Sequence, residues 1–193
     1  MIKQVCVYCA SSAKTPRVYL EAAEKFANTC VDNYIKIVFG GGSTGLMGCL
    51  ADTVLKRSGK IYGIMPDFMR QVEWAHKELK EIEFVADMHE RKKKFLIGTD
   101  AIVALPGGSG TLEELLEAIT WKRLGLYVNP IVILNLNGFY DPLIEQFERC
   151  IEDEFMTNEH RNLWSVVTTP EEILPAINMA PVWENAIQKA KVL

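Results

Sequence analysis

The sequence predicts an α/β fold: a Rossmann-like, doubly wound parallel sheet of about seven strands. Three observations carry this expectation. Short β-rich runs alternate with longer helical patterns along most of the 193 residues, as repeated strand, helix, strand units require. The run 101–105 (Ala-Ile-Val-Ala-Leu) is apolar at every position, which suits a strand buried on both faces. Eight of the 13 glycines crowd into two short loops: Gly40, Gly41, Gly42, Gly45 and Gly48 in the first, Gly107, Gly108 and Gly110 in the second. Each loop follows a predicted strand and opens a helix, so both belong at the carboxyl edge of the sheet, where open α/β folds bind ligands.

In chain order, the first strand spans 4–8 and begins almost at Met1-Ile2-Lys3-Gln4, which lacks the basic head and apolar middle of a signal peptide. Cys6 and Cys9 match C-x-x-C, but a period-two strand sends their side chains to opposite faces. Five cysteines (6, 9, 30, 49 and 150) in apolar segments read as reduced core thiols, and no His or Cys spacing suggests a metal. The second strand, 35–39, leads into the first glycine loop. Strands at 61–64 and 83–86 follow, and the second glycine loop comes after 101–105. Strands at 131–134 and 165–168 complete the sheet, with helices in most of the gaps. No repeat or linker interrupts the chain, so residues 1–193 are expected to form one domain. Residues 181–193 are its tail, which either docks as a short helix or frays.

Composition narrows the partners. Lys and Arg number 21 against 25 Asp and Glu, a net charge of −4, so no broad electrostatic grip on nucleic acid or an anionic membrane is expected. The longest apolar runs fall far short of the roughly 20 residues that span a bilayer. The reading is a cytoplasmic protein that binds its anion locally.

Residues 40–45, Gly-Gly-Gly-Ser-Thr-Gly, contain G-x-G-x-x-G, with Asp67 downstream where a dinucleotide ribose contact could lie. Against a dinucleotide site, the loop follows the second strand, Asp67 sits after Pro66, and a second glycine loop competes for the phosphate. Two readings stay open for the first loop: the backbone at Gly41 and Gly42 approaches a ligand, or the glycines permit close helix–sheet packing. In the second loop, Pro106 to Glu114 reads PGGSGTLEE, and Thr111 with Glu114 fits a capping box. A helix start does not need three glycines, whereas a phosphate held by backbone N–H groups does. Leu112, Leu115, Leu116 and Ile119 are expected to form the core stripe of the following helix. Glu114 then lies about 150° away, off the sheet and near the loop.

Asp87 and Glu90 open another helix as N-cap and capping box. There Met88, Arg91, Lys92 and Phe95 share one stripe, so two cations interrupt an apolar face and require partners, either a ligand phosphate or Glu114.

Three segments together, Phe39-Gly-Gly-Gly-Ser-Thr-Gly-Leu-Met-Gly48, Asp87-Met-His-Glu-Arg-Lys92 and Pro106-Gly-Gly-Ser-Gly-Thr-Leu-Glu-Glu114, resemble the signatures of the LONELY GUY (LOG) family. These are cytokinin riboside 5′-monophosphate phosphoribohydrolases. The resemblance implies a Rossmann-like homodimer with sites near the subunit interface. It also implies hydrolysis of a nucleoside 5′-monophosphate, AMP or an N6-modified AMP, to free base and ribose 5-phosphate without a cofactor. Arg91 and Glu114 match the catalytic pair. Lys92, Gly108, Ser109, Gly110 and Thr111 match substrate-binding positions, Glu73 and Thr120 match outlying contacts, and Ser11, Gly41, Gly42, Met88 and Gly107 complete the candidate set. The sequence departs from the family pattern at Ala10, commonly Gly, and at Trp74, which interrupts Glu-Val-Ala-His.

Cleaving an N-glycosidic bond builds positive charge on the ribose, which gives a nearby carboxylate work to do. A carrier of nucleotides or cofactors on the same fold is the alternative, and it would need neither Arg91 nor Glu114. A nicotinamide-dependent oxidoreductase ranks last, because it calls for a second domain that 193 residues barely accommodate. Finally, Ala118 and Trp121 are expected on the outer side of the helix after Thr111, where they predict a homodimer that buries Trp121 between subunits.

Overall fold

The computed structural model describes residues 1–71 and 75–183. All seven predicted strands form: β1 Gln4–Tyr8, β2 Lys36–Phe39, β3 Ile61–Pro66, β4 Ile82–Val85, β5 Ala101–Ala104, β6 Ile131–Leu134 and β7 Ser165–Val167. They make one parallel sheet in the order β4-β3-β2-β1-β5-β6-β7. The helices are α1 Arg17–Asp32, α2 Gly45–Lys56, α3 Met88–Leu96, α4 Ser109–Arg123, α5 Asp141–Glu152 and α6 Ile173–Met179. Between β3 and β4 the described chain makes a 3-10 turn, Asp67–Gln71, and no α-helix.

The strands are apolar throughout because both faces are covered. Val5, Val7 and Cys9 point into a core shared with Phe26 of α1, Leu50 of α2 and Ile173 of α6. Cys6 and Tyr8 point the other way, against Phe95 of α3, Leu115 of α4 and Phe147 of α5. The period-two argument thus places Cys6 and Cys9 on opposite sides of the sheet, and all five cysteines are free thiols. The tail differs from either expectation at its start: residues 181–183 are irregular, and Trp183 is buried against the second core. The remainder of the tail and the candidate Glu73 lie outside the described residues.

The chain moves outward from β1 to β4 on one side and from β5 to β7 on the other, so β1 and β5 flank the topological switch point. A ligand crevice is expected outside their carboxyl ends. There the Ala10 N–H donates to the Pro106 carbonyl at 3.2 Å and ties the segments after the two strands together.

One buried cation lies away from this edge. Lys122 is 1% exposed, and burial pushes its ammonium down to about 8. The unfolded chain therefore binds this proton more tightly, and the Lys122 contribution to stability rises with pH from about 8 up to the usual lysine value of 10.5. Lys122→Met is expected to remove that contribution, making the slope less positive than in wild type, and to stabilise the protein at pH 7 by on the order of 2 kcal/mol. Thermal melts across this range check it, and an unaltered slope in the variant would show that Lys122 is not its source.

Candidate active site

Local sequence chemistry places the first functional helix. Asp87 caps α3 by accepting the Glu90 N–H at 2.8 Å, and Glu90 reaches back to the Ala86 N–H at 2.9 Å. This fixes the phase that turns Arg91 and Phe95 inward, at 4% and 1% exposure. The Arg91 guanidinium is held on three sides. Nε donates to the Ile64 carbonyl at 3.0 Å, Nη2 to the Gly40 carbonyl at 3.4 Å, and Nη1 to Glu114 Oε1 at 3.3 Å. A Cβ at residue 40 would collide with Arg91 Nη2, so the first glycine of the run makes room for the guanidinium. Lys92, the other stripe cation, spans to α4 through Glu113 at 2.6 Å and Glu117 at 3.1 Å. Burial alone would lower its pKa, but the two carboxylates outweigh that and raise it.

The second helix corrects the sequence reading. α4 starts at Ser109 with Gly108 as N-cap and no side-chain cap, so Thr111 is an interior residue rather than the cap of a capping box. The buried face comprises Thr111, Glu114, Leu115, Ala118, Ile119 and Lys122. Glu114 therefore faces the core instead of pointing off it, and Leu116, taken as core, is 41% exposed. Ala118 belongs to the protomer's own core, and Trp121 packs at the margin of that core, so neither occupies the outer face assigned to it. The cause is that α4 carries apolar residues on both sides, which leaves hydrophobic periodicity unable to select the inner one.

Glu114 lies over the second-core face of β1. Burial, and after it the Glu114 charge, push the Cys6 thiol well above its usual range. Burial also raises the Tyr8 phenol, with Cys6 and Glu114 adding to the shift. The buried pair at 3.3 Å is poor value as a stability device, since apolar side chains would fill such a site at no greater cost.

The two glycine loops differ in what their backbones do. At the first, the α2 amides of Leu46 and Met47 already donate to the Ala10 carbonyl, at 2.9 and 3.3 Å. Gly45 adopts φ +61 against the backbone of residues 10–12, and a Cβ on Gly48 would meet the Ser43 carbonyl. Close packing therefore accounts for much of this loop. At the second, Gly107 is needed because a Cβ would overlap Thr111, whereas Cβ atoms on Gly108 and Gly110 would meet only open space. Among the described residues, no side-chain cap and no carbonyl from another segment reaches the first α4 amides. These N–H groups are the open donors of a helix N-terminus, where the helix dipole favours negative charge.

Residues 47–177 match the family described as "possible lysine decarboxylase". The chain is 36% identical over 190 residues to a cytokinin riboside 5′-monophosphate phosphoribohydrolase of Arabidopsis thaliana, spanning 98% of this chain and 83% of that one. This chain belongs to the LOG family. A second LOG phosphoribohydrolase, from Oryza sativa subsp. japonica, is 34% identical over 192 residues, covering 95% of this chain and 78% of the other. Among solved structures, the molybdenum cofactor carrier protein of Chlamydomonas reinhardtii superposes with a TM-score of 0.68, covering 93% of this chain and 98% of that one. At 17% identity this likeness concerns the fold.

Within the LOG fold, Arg91, Glu114, Met88 and the loop from Gly107 through Ser109 to Thr111 converge at the carboxyl edge. Met88 Sδ lies 3.9 Å from Arg91 Nη1. Lys92 stands beside this group but is engaged by α4 carboxylates. Ser11 is exposed just beyond β1, where its carbonyl accepts the Thr44 hydroxyl at 2.6 Å. Gly41 and Gly42 are buried under residues 75 and 76, with the Gly41 carbonyl accepting the His76 N–H at 2.9 Å. Thr120 is not brought to Glu114, because six residues along α4 carry it about 120° round the helix to an exposed position. The sequence reading missed Gly40 and the Ile64 carbonyl as holders of Arg91. Gly40 heads a triple-glycine run, a visible signal, but a backbone carbonyl has none.

Proposed function

We propose that this protein hydrolyses the N-glycosidic bond of a nucleoside 5′-monophosphate, AMP or an N6-modified AMP of the cytokinin riboside type, to free base and ribose 5-phosphate. The observation that carries the proposal is the buried Arg91–Glu114 pair beside the open N-terminus of α4. Membership in a family whose curated relatives are named for this reaction supports it.

The 5′-phosphate rests on the amides of residues 108–111, where the helix end contributes about half a positive charge. This fixes the ribose without touching the broken bond. As the C1′–N bond breaks, its electron pair leaves with the base and positive charge develops on the ribose. The Glu114 carboxylate stabilises that charge and orients a water whose oxygen bonds to C1′; the water's proton passes by way of Glu114 to solvent, and the departing base nitrogen takes one up from solvent. Arg91 orients Glu114, and Lys92 and Met88 border the same crevice. Base release from AMP, its N6-prenyl form and other purine nucleoside monophosphates is the direct test. Tight AMP binding with no base released from any of them would favour the carrier alternative.

Two further parts of the proposal concern assembly and place. Leu116, Thr120 and Leu124 follow one another at spacings of four along the exposed face of α4 and its C-cap, and Leu116 and Leu124 are 41% and 48% exposed. Leu126, just past the end of α4, is 66% exposed. A second copy of the chain covers this face in our reading, which also accounts for Thr120: a substrate contact there must be made to a ligand held outside the protomer. Light scattering is expected to give twice the 21.8 kDa chain mass, and a mass of 21.8 kDa at micromolar concentration would reject the dimer. The free, largely buried cysteines favour a reducing compartment, which agrees with a cytoplasmic location. No helix among the described residues is long and apolar enough to cross a membrane.

A further inference from the structure

A triple glycine is an unpromising mount for an active-site arginine. Residues 40–42 have no side chains with which to hold their own conformation, and glycine loses more backbone freedom on folding than any other residue. Yet the Gly40 carbonyl must stand still for Arg91 Nη2 to use it, at 3.4 Å. The rigidity comes from elsewhere in the chain.

His76, between β3 and β4, is 8% exposed, and the proposed reaction does not use it. The Glu78 N–H donates to its Nδ1 at 3.3 Å. Nδ1 is therefore the acceptor nitrogen, and Nε2 carries the proton that it donates to Asp52 Oδ1 at 2.9 Å. Asp52 stands on α2 with its carboxylate 72% exposed. The backbone of the same segment is bound to the glycine run: the His76 N–H donates to the Gly41 carbonyl at 2.9 Å, and Ala75 forms a bridge with Gly42. Gly41 itself holds φ +80, which L side chains rarely adopt, and a Cβ there would meet Ile82, Gly63 and Met65.

We infer that Asp52 and His76 are positioning residues. Their side-chain hydrogen bond anchors residues 75–78 to α2, that segment fixes the backbone of residues 40–42, and the Gly40 carbonyl sets the guanidinium that orients Glu114. The chain of contacts runs from an exposed carboxylate on a helix to the buried ion pair without touching the phosphate loop. The inference deepens the hydrolase reading and rests on it for its kinetic consequence, while its structural consequence stands apart.

The test compares wild type with Asp52→Ala, Asp52→Asn and His76→Ala in steady-state AMP hydrolysis and in amide hydrogen exchange over residues 40–47. Asparagine keeps an Oδ1 that accepts the His76 proton; alanine does not. Asp52→Ala is expected to lower kcat about tenfold with KM within about twofold, because the phosphate loop is untouched. Exchange at residues 40–42 should quicken about tenfold. Asp52→Asn should restore both to within about twofold of wild type, which general destabilisation would not explain. An unchanged kcat in folded Asp52→Ala overturns the inference, and so does an asparagine variant as impaired as the alanine one. If His76→Ala fails to fold, the exposed Asp52 variants decide. If wild type releases no base from any nucleotide, the hydrolase reading fails, and unchanged exchange in Asp52→Ala would then reject the anchor separately.

Discussion

Glu114→Gln is expected to lower kcat for AMP hydrolysis by at least about a thousandfold while AMP binding stays within about threefold of wild type. The substitution preserves size and an oxygen that can still accept from Arg91 Nη1, so the geometry of the pair survives. What disappears is the negative charge that the ribose requires as its C1′–N bond opens. Ground-state binding depends on the helix N-terminus and the phosphate, and the loss of a carboxylate nearby would weaken it little or even favour it. A kcat within tenfold of wild type would reduce Glu114 to a structural partner of Arg91. Isothermal titration with AMP, run beside the kinetics, separates lost chemistry from lost binding.

Removing the phosphate from the substrate should be almost as damaging. Adenosine is expected to show a kcat/KM at least about a thousandfold below that of AMP, roughly 4 kcal/mol of transition-state stabilisation. The open face at Gly108 and Gly110 and the uncapped amides of α4 have no other anion to receive in a nucleoside. Binding energy from this remote group is what aligns C1′ with Glu114, so kcat should fall as well as KM rise. Comparable kcat/KM for the two substrates would show that the α4 N-terminus serves the fold and not the ligand.

How far the sequence discloses all this depends on the kind of signal. Strands such as 131–134 are legible because a parallel strand buried on both faces must be apolar at each position. Arg91 is legible because it breaks an apolar stripe, and a charge set in a buried face demands a reason. The inward face of α4 is not, since its apolar residues run without a break from Leu112 and Leu116 on one flank, through Leu115 and Ile119, to Ala118 and Trp121 on the other, an arc too wide to select the buried centre. Gly40 and the Asp52–His76 contact are illegible for another reason: they join residues 51 and 24 positions apart, and no local pattern encodes such a meeting.

The placement of the ion pair has a consequence for how the protein becomes active. Arg91 is carried by α3, which follows the outermost strand β4 of one half of the sheet, whereas Glu114 is carried by α4, which follows the first strand of the other half. The arginine further requires carbonyls from Ile64 and Gly40, 27 and 51 residues earlier. Neither charge can leave water favourably until its counterpart arrives, so their desolvation waits on the docking of both halves. Catalytic competence is in this sense a late event of folding. A partly assembled chain, with one half formed and the other still loose, would keep its arginine and its glutamate hydrated and apart, and would be inert toward cellular nucleotides rather than an indiscriminate hydrolase.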